Sequence, residues 1–256
     1  EDDDTGVGVG GGRLVSFRSR SADLLAAGDG GLYVSEYNPA RLRRFQLDTF
    51  AVAAECVADT GGYKYFGLSD PVLAPDGVLF VLADTLVTDD GDIDYELLAL
   101  DALTLEVRFT VGNDVLGGVL SGLAVGGDEV FVGNYSESSI RVLSLAGEPR
   151  RTIAADGWRT PGALCCVAER LYLTEVNETG YGDDPEEDTK EQRDSRMAGR
   201  RVFAFTPEGV TLQVYNSPRP LHEAVEWSAM CHFNGKLVVG GKVETKIDVD
   251  DLVDFE

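Results

Sequence analysis

The stretch from Leu120 to Glu148 reads LSGLAVGGDEVFVGNYSESSIRVLSLAGE. A short apolar run, GLAV (Gly122–Val125), meets a Gly-Gly-Asp turn. A second run, EVFVGNY from Glu129, then leads through a polar hinge into a third, IRVLSL from Ile140. The layout recurs along the chain. First runs stand at DLLA (Asp23), PVLA (Pro71), ALCC (Ala163) and AMCH (Ala229). Second runs stand at GLYVSEY (Gly31), RLYLTEV (Arg170) and KLVVGGK (Lys236), and VLFVLADT (Val78) lies one residue out of step, as a β-bulge produces. Third runs are LRRFQL (Leu42), ELLAL (Glu96) and RVFAF (Arg201); RLVSF (Arg13) is of the same kind but precedes the first unit. Weaker fourth runs follow: FAVAAECV, EVRFTVG, PRRTIA and VTLQVYN.

The units start near residues 23, 71, 122, 163 and 229, at spacings of 48, 51, 41 and 66; an acidic insertion at 178–200 lengthens the last. Four short strands per unit of roughly 40–50 residues is the repeat of a propeller. Apolar runs bounded by Gly and Asp turns, without helical periodicity, favour strands. The spacing predicts an all-β chain, one domain over residues 1–256, folded as a β-propeller of five to six four-stranded blades. Tyr33, Phe131, Tyr172 and Val238 share one register position, with small residues (Ser35, Gly133, Thr174) two places on in three units. The opposite side carries Leu32, Val34, Val130, Val132, Leu171 and Leu173. Sheets apolar on both faces pack between two neighbours, so these aromatics are expected in the core.

YVSEYNPARLRRF (Tyr33–Phe45) and FVGNYSESSIRVL (Phe131–Leu143) resemble the NHL repeat, whose strands run YVAD, a polar hinge, then RIQVF. WRTPG (Trp158–Gly162) resembles the segment leading into such a blade. The likeness covers three of the five units. It departs from the repeat at the hinge acid, which is Glu in two units, Asn in one and missing near Gly241. NHL propellers usually have six blades, so either this ring has five or a sixth lies outside the chain. RLVSF would pair with the last unit to close the ring and remove exposed edges. In overall fold such propellers are similar to the six-bladed senescence-marker protein, gluconolactonase and strictosidine-synthase group. Its lactonases hold one calcium on carboxylate and Asn ligands from different blades.

The chain carries 45 acids and 22 bases, a net charge of −23, and only five of the bases are Lys. Nucleic acid is excluded as an expected partner, because phosphate contact needs a basic footprint. Strong like charge favours a soluble monomer, or part of a longer chain, and attracts cations or basic partners. No apolar run approaches the roughly 20 residues needed to cross a bilayer, and the start, EDDDTGVGVGGG, lacks signal-peptide order. Membrane insertion is not expected, and the compartment is not encoded. Cys56, Cys165, Cys166 and Cys231 form no zinc spacing with His222 and His232. Cys165 and Cys166 should point to opposite sides of a strand, and buried thiols are expected.

In four-stranded blades, the loops joining strands two and three share one face of the ring with the loops joining blades. Two long loops fall there: TLVTDDGDIDYE (Thr85–Glu96) and the insertion at 178–200. Asp90, Asp92 and Asp94 have calcium-loop spacing, but Tyr95 and Asp101 stand where an EF-hand requires Gly and Glu. Glu36, Asp84, Asn134 and Glu175 end the second strands of four successive units, so the repeat brings them to one ring. They are the candidate ligand-binding residues and, by resemblance to the lactonases, the candidate metal ligands for calcium, whose hard charge suits oxygen donors. The competing expectation is that hinge residues accept hydrogen bonds from their own turns. GVGVGG (Gly6–Gly11) has neither a strand before it nor a helix after it, so it is no dinucleotide loop. No Ser-His-Asp or Cys-His arrangement is present.

The sequence therefore points to an NHL-like binding or scaffold module that takes a protein segment or small molecule on the long-loop face. No cofactor is required by that function. The alternatives are a calcium-dependent hydrolase or lactonase using the hinge carboxylates, and a purely structural repeat domain of a longer protein.

Overall fold

The computed structural model describes residues 22–28, 30–36, 41–57, 59–60, 63–86, 93–154, 157–176, 201–216, 225–233, 236–243 and 253–255. Five antiparallel sheets follow one another along the chain. The first contains β1 (Ala22–Gly28), β2 (Gly31–Glu36), β3 (Arg41–Gln46) and β4 (Val52–Val57). The second contains β5 (Asp59–Thr60), β6 (Tyr63–Leu73), β7 (Val78–Leu86), β8 (Ile93–Asp101) and β9 (Val107–Val111). A single helical turn, α1 (Asn113–Leu116), leads to the third: β10 (Leu120–Gly126), β11 (Glu129–Asn134), β12 (Ser139–Ser144) and β13 (Pro149–Ala154). The fourth holds β14 (Pro161–Val167), β15 (Arg170–Glu175), β16 (Arg201–Phe205) and β17 (Thr211–Asn216). The fifth shows β18 (Val225–Phe233), β19 (Lys236–Val243) and β20 (Val253–Phe255).

These strands coincide with the repeated runs, and in every sheet the order along the chain is the order in space. Short turns make that simple meander possible. Leading strands of successive sheets pack on one another: β1 on β6, β6 on β10, β10 on β14, and β14 on β18. Gly122 shows how close they come. A Cβ there would lie 2.2 Å from the carbonyl oxygen of Gly162 on the neighbouring sheet, so only glycine permits this backbone approach.

The core is a series of clusters between sheets. Tyr33 and Leu42 meet Leu79 and Val81 between the first two. Phe80 and Leu82 meet Val130 and Val132 between the second and third. Phe131 and Val142 meet Leu171 and Phe203 across the next interface, and Val202 meets Leu237 and Val239 across the last. Tyr33 and Phe131 are fully buried, as the register predicts, and each such side chain contributes about 1.5–3 kcal/mol on leaving water. Cys166 and Cys165 pack on opposite sides of β14, also as expected. Cys56, Cys165 and Cys166 are free thiols but only partly buried, a correction to the expectation of fully buried ones. The side chains of Cys231, His232 and Val238 lie outside the described residues, as do His222 and RLVSF.

One irregularity departs from the repeat. In every sheet one corresponding strand pair (β1/β2, β6/β7, β10/β11, β14/β15 and β18/β19) has a register shift near the same end: Ala22/Leu24, Tyr65/Gly67, Leu120/Gly122, Pro161/Leu164 and Trp227/Ala229. Only the second sheet's pair has another, between Ser69 and Val72. The expected bulge is therefore real, but it lies in β6 rather than in β7.

Candidate functional site

The shared register shift fixes which hinge residues are equivalent. Just before it, Glu36 pairs with Ala22, Asn134 with Leu120, Glu175 with Pro161 and Gly241 with Trp227. In the second sheet the residue in that place is Thr85, opposite Tyr65; Asp84 is opposite Gly67, one step on. Side chains alternate along a strand. Asp84 therefore shares the face of Phe80 and Leu82, toward the third sheet, whereas Thr85 shares that of Val81, toward the first. The four residues do not form one ring of equivalents. β7 also runs on to Leu86 and pairs there with Ile93, so Thr85, Leu86 and Ile93–Glu96 are hairpin strand, while residues 87–92 lie outside the described residues. Asp90 and Asp92 lie outside the described residues.

Asn134 and Glu175 have matching surroundings. Asn134 is fully buried. Its carboxamide donates to the carbonyl of Leu116 at 2.7 Å and to that of Gly117, and its oxygen accepts from the Glu137 amide at 2.8 Å. Glu175, also fully buried, accepts from the Arg159 amide at 2.7 Å. Arg201 completes it with Nε at 2.7 Å from Oε2 and Nη2 at 2.9 Å from Oε1. A main-chain bond recurs beside each, Tyr135 to Val119 and Val176 to Thr160. Both side chains thus fasten the segment leading into their own sheet to the end of its second strand. Burial pushes the Glu175 carboxyl up, against the downward pull of Arg201, and the net shift is upward. The Glu36 side chain lies outside the described residues; its backbone pairs with Arg41, the position Arg201 fills in the fourth sheet.

A calcium ion on these residues would have to displace those bonds, since every polar atom of Asn134 and Glu175 is engaged and Asp84 faces elsewhere. Among the described residues no three Asp, Glu, His or Cys side chains are grouped to hold a metal ion. Asp84, Asn134 and Glu175 are not gathered around one calcium as they stand, and the Glu36 side chain lies outside the described residues.

Other polar groups at the same end of the sheets are left over. The hydroxyls of Ser35, Thr85, Ser121, Ser139 and Thr160 are buried without a hydrogen-bond partner. Buried polar atoms are nearly always bonded, and each exception calls for an explanation such as water or a ligand. Asp84 is half-buried and makes no hydrogen bond to a described residue; burial pushes its carboxyl up. Tyr95, its cross-strand neighbour, has its hydroxyl pushed up first by burial and then by the Asp84 charge.

Asp70 belongs to the extra bulge of β6 and has φ of 51°, a left-handed conformation that Asp tolerates better than most residues. Its surface is partly open to solvent, yet protein surrounds it on most sides, and this desolvation raises its carboxyl to about 7. The repeat pattern does not mark it. The available signal was Asp-Pro inside the apolar run LSDPVL, because proline within a strand marks a bulge or an edge.

No protein family matches the sequence, and no curated protein does. Solved structures do. The RRP9 WD40 repeats align with a TM-score of 0.56 and 13% identity, over 90% of this chain and 76% of that one. A gluconolactonase from Xanthomonas campestris, XC5397, aligns with a TM-score of 0.55 and 14% identity, over 82% and 65%. The WD40 β-propeller domain of Doa1 aligns with a TM-score of 0.53 and 14% identity, over 85% and 59%. The chain thus spans about three-fifths of the Doa1 domain's length. Likeness at such low identity shows the fold and nothing finer. With five meander sheets packed on one another, the chain is a β-propeller, as these neighbours are. Among the described residues no helix is long and apolar enough to cross a membrane.

Proposed function

We propose that this propeller is a binding module that takes a protein segment or small polar ligand on the face where β2 connects to β3, β7 to β8, β11 to β12 and β15 to β16. The observation that supports this reading is that buried, unpartnered hydroxyls recur at that end of successive sheets, the end at which the desolvated Asp84 also stands. Each such group costs about 1–3 kcal/mol when left unsatisfied, and a ligand with matching donors would recover part of it. A half-buried carboxylate selects a cationic or hydrogen-bond-donating ligand, and the net charge of −23 attracts the same class. A WD40 domain among the structural neighbours is consistent with protein binding, at the level of fold alone.

A random-peptide display selection against the chain, repeated against Asp84→Asn, tests the reading. Lysine- or arginine-containing peptides should be enriched on the wild type and lost on the variant. Failure to enrich any peptide, or enrichment indifferent to Asp84→Asn, would remove Asp84 from the site.

A further inference from the structure

The outermost strands of the sheets differ in chemistry. β4 carries Glu55, held by Arg43 at 2.8 Å, and β9 carries Arg108, held by Asp101 at 2.7 Å. β13 opens with Pro149, Arg150 and Arg151, whose guanidinium groups pair with Asp128 and Glu129. Charges and proline on an edge are the usual devices that keep another strand from adding to it. β17, reading TLQVYN, has neither charge nor proline in a chain where 26% of residues are charged, and shares with β4, β9 and β13 only a bulge. It is the edge of its sheet, and nearly all of it is exposed. Leu212, at the bulge of the strand, and Val214 are 51% and 39% exposed, and Val210, in the turn just before it, is 61% exposed. No other outer strand shows more than one large exposed apolar side chain among the described residues.

We infer that β17 is a docking edge for an extended, basic peptide segment of another protein, which adds as a further strand. The segment's main chain would bond the outward amides and carbonyls of Thr211–Asn216, while alternate apolar side chains cover Leu212 and Val214, the geometry of strand addition. The charge of the chain selects the occupant. A second copy would bring another −23, and its repulsion opposes edge-to-edge pairing. A lysine- or arginine-bearing segment is attracted instead, and Glu208, exposed just before the strand, stays ionised because Thr206 and its own backbone amide hold its carboxyl below the usual range. This surface lies on the rim of the propeller and is separate from the loop face proposed above.

Amide hydrogen exchange on the full chain tests it, with a short synthetic peptide alternating valine and lysine as probe and one alternating valine and glutamate as control. In the dilute free protein, the Thr211–Asn216 amides that turn away from β16 should exchange freely. The valine–lysine peptide should slow them about tenfold, and the valine–glutamate peptide should not. Leu212→Thr with Val214→Thr keeps strand propensity and should abolish the effect; Val107→Thr on β9 and Asp84→Asn should leave it intact. No slowing at saturating peptide overturns the inference, as does equal slowing by the acidic peptide or slowing that survives the double substitution. Protection already present in the dilute free chain would assign the edge to the chain's own residues, and protection that grows with protein concentration alone would assign it to a second copy. Either result also overturns the inference.

Discussion

The second and third sheets are built from the same repeat and treat the hinge position in opposite ways. In the third, Asn134 is buried and fully bonded, fastening α1 and its own hinge together. In the second, an extra bulge puts Asp70 into left-handed backbone, and Thr85 occupies the hinge place with its hydroxyl unpartnered. Asp84 is displaced to the other face, also without a bond to a described residue. The third sheet, like the fourth, uses its hinge residue to hold the fold. Unpartnered hydroxyls occur in the third sheet too, at Ser121 and Ser139, but among the described residues only the second adds desolvated carboxyls that the fold does not use, Asp70 and Asp84. Proteins depart from local regularity mainly where function asks for it, and this contrast makes the second sheet the place to look for binding.

The largest expected effect comes from breaking a working latch. Arg201→Met keeps the aliphatic stem but leaves the Glu175 carboxylate buried and unpaired, which should cost about 3 kcal/mol at neutral pH. The loss should shrink in acid, because a desolvated carboxyl with no partner takes up a proton. Denaturant unfolding at pH 7 and pH 4 checks this; equal stability of variant and wild type at pH 7 would show that the bonded hinges are ornaments of the turn.

A smaller effect of opposite sign is expected at Asp70. Its carboxyl sits near 7 in the folded chain and near 3.9 when unfolded. Its contribution is then fully favourable below pH 4 and lost as pH rises toward 7. Asp70→Asn should be more stable than the wild type by about 2 kcal/mol at pH 8, after discounting for partial exposure, and indistinguishable from it at pH 3.5. A destabilised variant at pH 8 would mean that the carboxylate has a structural partner.

Smaller still is the expected response to calcium. A selective site present only in the folded chain would raise stability by about 2.7 kcal/mol at a hundredfold excess over Kd. With Asn134 and Glu175 already bonded, calcium and magnesium at constant ionic strength should give equal, slight rises in Tm through general screening of the acids. A calcium-selective rise lost in Glu175→Gln would reinstate the lactonase-like alternative, and esters and lactones would be the substrates to try.

Much of the fold was legible in the sequence, because strand, turn and blade each leave a period. Runs such as EVFVGNY and RLYLTEV alternate at the strand period, Gly-Asp turns cut them to length, and the unit repeats. The site was less legible. Asp84 reads as a hinge residue when VLFVLADT is laid under its siblings, but the shared register shift gives that place to Thr85. One residue of slip turns a side chain to the other face, and no alignment of runs shows where a bulge falls. Nor does sequence distinguish the bonded Asn134 from the unbonded Ser35 or Thr160, because the difference lies in segments brought together across the chain.

The measurement that bears most directly on the contrast is the paired stability and peptide binding of Asp84→Asn. If Asp84 is a polar group held ready for a ligand, replacing its desolvated carboxylate should raise Tm at pH 7.5 while peptides selected on the wild type lose their affinity, since activity and stability trade off at such positions. A fall in Tm with binding unchanged would contradict the account, because Asp84 would then be one more latch of the fold.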